Sequence, residues 1–292
     1  MPRRLISIDD LSKEEINSIL QRAKEYRAGK RESLSGSVAL IFLEPSTRTR
    51  LSFERACKEL GFSFHSVSRP ESSIAKGESF LDTLITLKEL GFCMAVFRLN
   101  FVLFPYKWLE NIDIGLINAG DATHQHPTQA LTDLLCIMDE FERLEGLNVL
   151  FVGDILHSRV FRSDAKLFSL FGANIGICGP FELLPEDLSP FGDIIVFKNI
   201  DEAINWADIT IWLRLQKERH KHPISDSSYF LQFGLTKERH RALKGKFMHP
   251  GPVITGVDME ESLVYSEKSL IKAQVRNGLY IRMATLKWVL DG

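Results

Sequence analysis

The sequence predicts an α/β protein of two domains, each a parallel sheet flanked by helices. Three observations carry this reading. Short apolar runs alternate with longer stretches of helical period, as at residues 38–42 then 51–61, and 147–153 then 158–171. A charged stretch at residues 140–146 interrupts the alternation, which then restarts as a second α/β unit. A length of 292 residues is enough for two separate cores.

Residues 6–30 read as an amphipathic helix, with Leu11, Ile16, Ile19, Leu20 and Ala23 on its apolar face. Ser12 followed three residues later by Glu15 is a capping box at its start. Residues 38–42 form a buried strand, and Pro45 stops regular structure. A helix over 51–61 follows, closed by Gly61. A second strand covers 63–68, then a polar loop over 69–79 with Pro70, Gly77 and several serines, then a helix over 80–90 ended by Gly91. Val96-Phe97-Arg98 ends a strand, and 114–118 is another. After His126-Pro127-Thr128-Gln129 a helix runs through Leu131, Leu134, Leu135 and Met138.

In the second unit, strands are expected at 147–153, 173–178, 193–197 and 209–213, and helices at 158–171 and 200–206. Residues 217–229 are long, polar and proline-containing, and are expected to form a mobile lid. His249-Pro250-Gly251-Pro252 is a stiff turn after a short strand. Residues 269–290 are mostly helical, with Asn277-Gly278 expected to interrupt them.

The chemistry concentrates where strand 38–42 meets its helix. Ser46-Thr47-Arg48-Thr49-Arg50 places hydroxyls and two forked cations at a helix N-terminus, where backbone N–H groups and the positive dipole end also converge. That combination suits a tetrahedral oxyanion, most simply phosphate. The competing reading, a hydroxyl cap beside two solvated arginines, fits one Ser and one Arg better than it fits this run. Arg98 and His126 also fall at strand ends, where parallel sheets bind their ligands.

Composition excludes several classes. The formal net charge of -2, without a basic block, argues against nucleic acid or an anionic membrane as partner. The Met1-Pro2-Arg3-Arg4 start lacks the apolar run of a signal peptide, and no apolar stretch is long enough to span a bilayer. Cys57, Cys93, Cys136 and Cys178 are widely spaced in apolar surroundings, which reads as reduced core thiols in a cytoplasmic protein. Gly153-Asp154-Ile155 is not part of a G-x-G-x-x-G, so no dinucleotide site is expected. His124-x-His126 and His220-x-His222 each offer two imidazoles, but no cysteine or acidic cluster has ligand spacing with them. No metal is therefore expected. No G-x-S-x-G is present, and no cysteine sits in a cationic loop to act as nucleophile.

The run FLEPSTRTRLSFE resembles the carbamoyl-phosphate signature of the aspartate and ornithine carbamoyltransferases, and further motifs extend the resemblance over essentially the whole chain in the family's order. The resemblance implies a carbamoyl-phosphate-binding domain over 1–135 and an aspartate-binding domain over 136–270. It also implies interdomain helices, with 271–292 returning to the first domain. Ser46, Thr47, Arg48 and Thr49 would hold the phosphate, Arg98 would reach the phosphate and carbonyl, and His126 and Gln129 would contact the carbonyl oxygen and carbamoyl nitrogen side. Ser72 and Lys76 match a loop donated by the neighbouring subunit of a homotrimer. GDILHSR and RLQKER resemble the aspartate-site motifs. They place Arg159 on the α-carboxylate, Arg214 on the β-carboxylate and Gln216 near the amine, which the carbonyls of Gly251 and Pro252 border. Gly251 stands where the ornithine-specific branch has a cysteine, so the implied acceptor is L-aspartate. The implied reaction needs no cofactor, belongs to de novo pyrimidine biosynthesis, and uses Arg48, Thr49, Arg98 and His126 as charge stabilisers. Glu44 would pair with Arg159 or Arg219 on domain closure.

A catalytically silent homologue kept as an assembly partner would have lost one of these cations, and none is lost. Larger assemblies with dihydroorotase or regulatory chains are a family property that this sequence leaves open. Two departures stand out. Ile254-Thr255 replaces a polar pair after the HPGPV turn. The apolar Phe101-Val102-Leu103-Phe104 follows Arg98-Leu99-Asn100 and is a candidate interface.

Overall fold

The computed structural model describes residues 2–68, 73–103, 109, 112–220 and 222–292. The chain divides into two compact units, Met1–Thr132 with Val275–Gly292, and Asp133–Gln274.

The first unit contains β1 (Arg4–Leu5), α1 (Lys13–Arg27), β2 (Ser37–Phe42), α2 (Thr47–Leu60), β3 (Ser63–Ser68), α3 (Phe80–Glu89), β4 (Met94–Leu99) and β5 (Gly115–Asp121). Its strands form one parallel sheet in the order β1-β5-β4-β2-β3. From β2 the chain crosses through α2 to β3 on one side, then through α3 to β4 on the other. The strand order therefore reverses between β2 and β4, and a crevice opens beyond their carboxyl ends. Ile41, Phe97, Leu84, Leu99 and Leu116 fill the core on one face of this sheet. Each such side chain, fully buried, contributes about 1.5–3 kcal/mol.

The second unit repeats the design. After α4 (Pro127–Phe141), which crosses the unit boundary, come β6 (Asn148–Val152), α5 (Arg159–Leu170), β7 (Asn174–Cys178), β8 (Ile194–Phe197), α6 (Ile200–Trp206), β9 (Ile209–Trp212), α7 (Asp226–Phe233), α8 (Lys237–Ala242) and β10 (Lys246–Met248). The sheet is again parallel, ordered β10-β9-β6-β7-β8, and its reversal lies between β6 and β9. Leu150, Val152, Trp212 and Phe247 lie in its core. The closing helix α9 (Ile271–Leu290) leads back into the first unit.

Several expectations are corrected. The helix expected over 51–61 begins at Thr47, so the S-T-R-T-R run forms its N-cap and first turn and does not precede it. Arg159 and Arg162 lie in the first turn of α5, within the helix expected over 158–171, behind the capping Ser158, whose hydroxyl accepts from Phe161 N. Residues 217–229 do not form a free lid. They contain a short 3-10 turn, Lys217–Arg219, and the start of α7, and the His220 side chain is pinned to Asp154 at 2.8 Å. Asn277-Gly278 does not break α9, because the buried Asn277 side chain accepts from Arg27 Nη1 at 2.9 Å and holds the helix against α1. The two-residue β1 was missed because its alternation is too short to read; its pairing with β5 defines it. Helices α7 and α8 were missed for a related reason, being 8 and 6 residues long.

Candidate active site

In the first unit, the pocket forms at the strand-order reversal. Phe42, Leu43, Glu44, Pro45, Ser46, Thr47, Arg50 and Ser68 line a cavity of about 260 Å³. Ser46 is the N-cap of α2, yet its side chain makes no capping bond. The first-turn N–H groups are orphans of any helix, and here the hydroxyl that normally satisfies one of them does not do so. An oxyanion at the positive end of the helix would not compete with that hydroxyl. Thr47 and Arg48 are exposed, and Thr49 is buried on the inner side of the turn.

Arg98 lies opposite Phe42 in the β2–β4 register, so strand pairing itself sets it beside the turn. Leu43 N donates to Arg98 O at 2.9 Å and fixes this junction. Arg98 Nη1 donates to Ala119 O at 3.3 Å, and its Nε lies 3.6 Å from Glu44 Oε2. Glu44 thus pairs within its own unit here. His126 and Gln129 are both buried, at the entry and in the first turn of α4. The loop that delivers them is organised by Asp121, which is fully buried. Asp121 accepts from Asn118 Nδ2 (2.8 Å), Gln125 N (2.9 Å) and Leu103 N (3.0 Å), and also pairs with His124 Nδ1 (3.0 Å). Strand ends β2, β4 and β5 therefore present Ser46–Thr49, Arg98 and His126 from adjacent positions in one sheet. Lys76 is exposed at the end of the 3-10 turn Ser73–Lys76, outside the lining of this cavity. Ser72 lies outside the described residues.

In the second unit, Arg159, Arg214 and Gln216 follow β6 and β9, the strands that flank the reversal. Two buried aspartates hold these segments. Asp154 accepts from His157 N (3.2 Å), Gln216 N (3.1 Å) and the rings of His157 and His220 (both 2.8 Å). Gln216 Nε2 in turn donates to His157 O at 2.9 Å, which leaves its Oε1 as the end able to accept from an amine. Asp258 accepts from Ile254 N (2.8 Å), Leu215 N (3.4 Å) and His249 Nε2 (3.1 Å). His249 Nδ1 accepts from Gly251 N at 2.9 Å, which fixes the ring's tautomer and the His249-Pro250-Gly251-Pro252 turn together. The Gly251–Pro252 peptide is cis. Gly153 takes a positive φ of 120°, and a Cβ there would lie 2.7 Å from Leu213 O and from Tyr229 Oη.

Arg214 is engaged by Glu218 through both terminal nitrogens, at 3.1 Å for Nη1–Oε2 and by a short Nη2–Oε1 contact. Glu218 is the main cause that raises the guanidinium above its ordinary value, and Arg214 in turn lowers the Glu218 carboxyl. Arg162 lies over the Phe191 ring at 5.7 Å, where burial lowers its pKa, so its role is packing. Ile254, the departure noted after the HPGPV turn, packs against the cluster of Leu183, Leu215, Tyr229 and Val257.

The positioning roles of Asn118, Asp121, Asp154, His249 and Asp258 escaped the sequence reading. Each is a buried polar residue that accepts from at least one backbone N–H of the site loops. A buried aspartate or histidine is not visible in a sequence before burial is known.

Two doubly wound units with cationic groups beyond the carboxyl ends of the strands define a class: α/β proteins that gather small anionic ligands at strand-order reversals. The chain belongs to the aspartate/ornithine carbamoyltransferase family. Residues 3–139 match the model of its carbamoyl-P binding domain, and residues 145–289 match that of its Asp/Orn binding domain. The aspartate carbamoyltransferase catalytic subunit of Aquifex aeolicus (strain VF5) is 54% identical over 98% of this chain and 99% of its own length. That of Solibacter usitatus (strain Ellin6076) is 40% identical over 99% of this chain and all of its own length. Among solved structures, the catalytic subunit of M. jannaschii aspartate transcarbamoylase superposes with a TM-score of 0.86 at 31% identity, covering 99% of this chain and 98% of that one. The Trypanosoma cruzi enzyme, solved in complex with carbamoyl phosphate and aspartate, gives a TM-score of 0.85 at 27% identity, covering 99% and 96%.

Proposed function

We propose that this chain moves the carbamoyl group of carbamoyl phosphate to the α-amine of L-aspartate, giving N-carbamoyl-L-aspartate and phosphate in de novo pyrimidine biosynthesis. One observation carries the reading. The S-T-R-T-R run is the uncapped first turn of α2 and opens on a cavity at the β2–β4 reversal. A phosphate monoester fits that arrangement through backbone N–H groups, hydroxyls and guanidiniums together.

Ser46, Thr47, Arg48 and Thr49 hold the phosphate, with Arg98 reaching both it and the carbamoyl oxygen. His126 donates to that oxygen, and Gln129 contacts the carbamoyl nitrogen. In the second unit Arg159 takes the α-carboxylate and Arg214 the β-carboxylate. Gln216 and the carbonyls of Gly251 and Pro252 border the amine. The amine nitrogen bonds to the carbamoyl carbon, the C–O bond to phosphate breaks, and the departing phosphate takes the amine proton. No general base is needed, since the leaving group is already activated. Alignment of the two substrates accounts for about 7–11 kcal/mol of barrier lowering. Each donor aimed at the developing oxyanion accounts for about 3–4 kcal/mol.

Ser72 and Lys76 act from the neighbouring subunit of a homotrimer, and the enzyme works in the cytoplasm. The exposed position of Lys76 supports the first. The four free cysteines support the second. Among the described residues no helix is long and apolar enough to cross a membrane. The test is phosphate release from carbamoyl phosphate with aspartate, ornithine or N-acetylornithine offered separately. Release with aspartate alone is expected. Equal or faster release with ornithine would overturn the assignment of the acceptor.

A further inference from the structure

Among the described residues, one cluster that holds the site segments also combines ligand chemistry with geometry. Asp154, His157 and His220 each offer a potential ligand atom, and these atoms all lie within 4.8 Å of one another. Nδ1 of His157 sits 2.8 Å from Asp154 Oδ1, and Nε2 of His220 sits 2.8 Å from Asp154 Oδ2. The two rings stand 5.4 Å apart between centroids. The carboxylate is fully buried and the His220 side chain is 3% exposed, whereas the His157 side chain is 19% exposed and opens the cluster to solvent.

We propose that these three residues form a binding site for a divalent transition cation of the zinc class. Two imidazoles and one carboxylate are a borderline-soft donor set. Such a set suits Zn²⁺, Co²⁺ or Ni²⁺ and not the all-oxygen preference of Mg²⁺ or Ca²⁺. Nδ1 of His157, Nε2 of His220 and one Asp154 oxygen supply three ligands, and water entering past His157 supplies the fourth.

The proton accounting is simple. In the hydrogen-bonded arrangement each neutral ring carries its proton on the nitrogen facing Asp154. Coordination needs the other tautomer, with the proton on Nε2 of His157 and Nδ1 of His220, so no proton is lost overall. For His157 that proton reaches solvent. For His220 it does not, because Nδ1 is buried with no hydrogen-bond partner among the described residues. A metal-bound imidazole normally donates its second N–H, and the absence of an acceptor costs about 10–100-fold in affinity. The site is therefore weaker and more exchangeable than one whose second shell is complete. It bridges the segment after β6 to the segment after β9. The residues that bind are 154, 157 and 220, and none of them bears a carboxylate-binding arginine.

The test is titration of the tag-free full chain with Co²⁺, read by ligand-field absorption. The intense visible bands of four- or five-coordinate cobalt report inner-sphere ligands without reference to activity. One Co²⁺ per chain is expected, with the bands bleached by Zn²⁺ and unmoved by Mg²⁺. His157→Asn and His220→Asn are each expected to weaken binding at least tenfold, while His222→Asn, which changes an exposed neighbour, leaves it intact. His157→Asn alters a partly exposed side chain, so it tests the site even if the His220 variant does not fold. Cobalt that shows only the weak spectrum of the hexaaqua ion, or bands that persist unchanged in His157→Asn, would overturn the proposal.

Discussion

Replacing Asp164 by asparagine is expected to stabilise the protein, and by more as pH rises. Asp164 lies on α5 and is fully buried. Its neighbour is the buried Asp133 on α4, which accepts from Gln274 Nε2 at 2.8 Å. Burial is the largest cause raising the Asp164 carboxyl well above its ordinary value, followed by the charge of Asp133 and the hydrogen bond to it. The pair therefore shares one proton. The sign follows from linkage. Above the unfolded carboxyl's value, near 3.9, the unfolded state releases this proton while the folded state keeps it. Stability then falls by about 1.4 kcal/mol for each pH unit over the range in which the folded carboxyl stays protonated. The loss accumulates at up to that rate for as long as the folded carboxyl keeps its proton. In the Asp164→Asn variant the side-chain amide would offer Asp133 a donor of the same shape without taking up a proton. Urea unfolding of both proteins at pH 5, 6 and 7 measures the effect, and the gap in favour of the variant should widen at up to that rate. Because one proton serves both residues, Asp133→Asn with Asp164→Asn should gain little beyond the single change. Unfolding curves that keep a constant separation across this pH range would refute the shared-proton reading.

Arg48→Ala is expected to lower turnover by roughly two to three orders of magnitude, the scale of a lost oxyanion or phosphate donor, and retained phosphate release would remove Arg48 from the site. Tyr229→Phe deletes a hydroxyl that is fully buried without a hydrogen-bond partner among the described residues and that burial pushes well above its ordinary pKa. Its thermal midpoint should rise, corresponding to about 1 kcal/mol or more, and a fall would point to an unseen partner for the hydroxyl. Gly153→Ala puts a Cβ against Leu213 O and Tyr229 Oη at a positive φ. A loss of roughly 1–3 kcal/mol is expected, measurable by denaturant midpoint, and only part of it should return in the Tyr229→Phe background because the Leu213 carbonyl stays in place.

The two units differ in how much of their sites can be read without coordinates. In the first, the anion-binding groups are consecutive: one strand, one turn and one helix N-terminus supply them, and local rules cover all three. Strand 63–68 and the start of the pocket were legible for the same reason, as was helix 200–206 in the second unit. The exact start of α2 was not, because Ser46, Thr47 and Arg48 are poor guides to where helical geometry begins when the cap bond is not made. In the second unit the arginines and Gln216 were singled out by motif, but what positions them was not readable. Asp154 meets His220 across 66 positions, and Leu215 meets Asp258 across 43. Spacing alone put His220 beside His222, on an exposed loop. Strand pairing put it beside Asp154.

The buried aspartates also bear on how a dicarboxylate is received. Negative charge surrounds Arg214: Glu218 first, then Asp258 and Asp154, act to raise the guanidinium above its ordinary value. Asp154 and Asp258 cannot leave, since each anchors backbone N–H groups of the site segments. Glu218 can. Its side chain is 55% exposed, while that of Arg214 is 27% exposed, so their pair is partly screened and is worth less than its geometry suggests. Glu218 nevertheless takes both terminal nitrogens of Arg214, so an incoming carboxylate reaches the guanidinium fork only by displacing it or by using the Nε edge. On the proposed binding mode, a carboxylate arriving at Arg214 would replace one that solvent already competes for, while Asp154 and Asp258 would stay behind to hold the site segments.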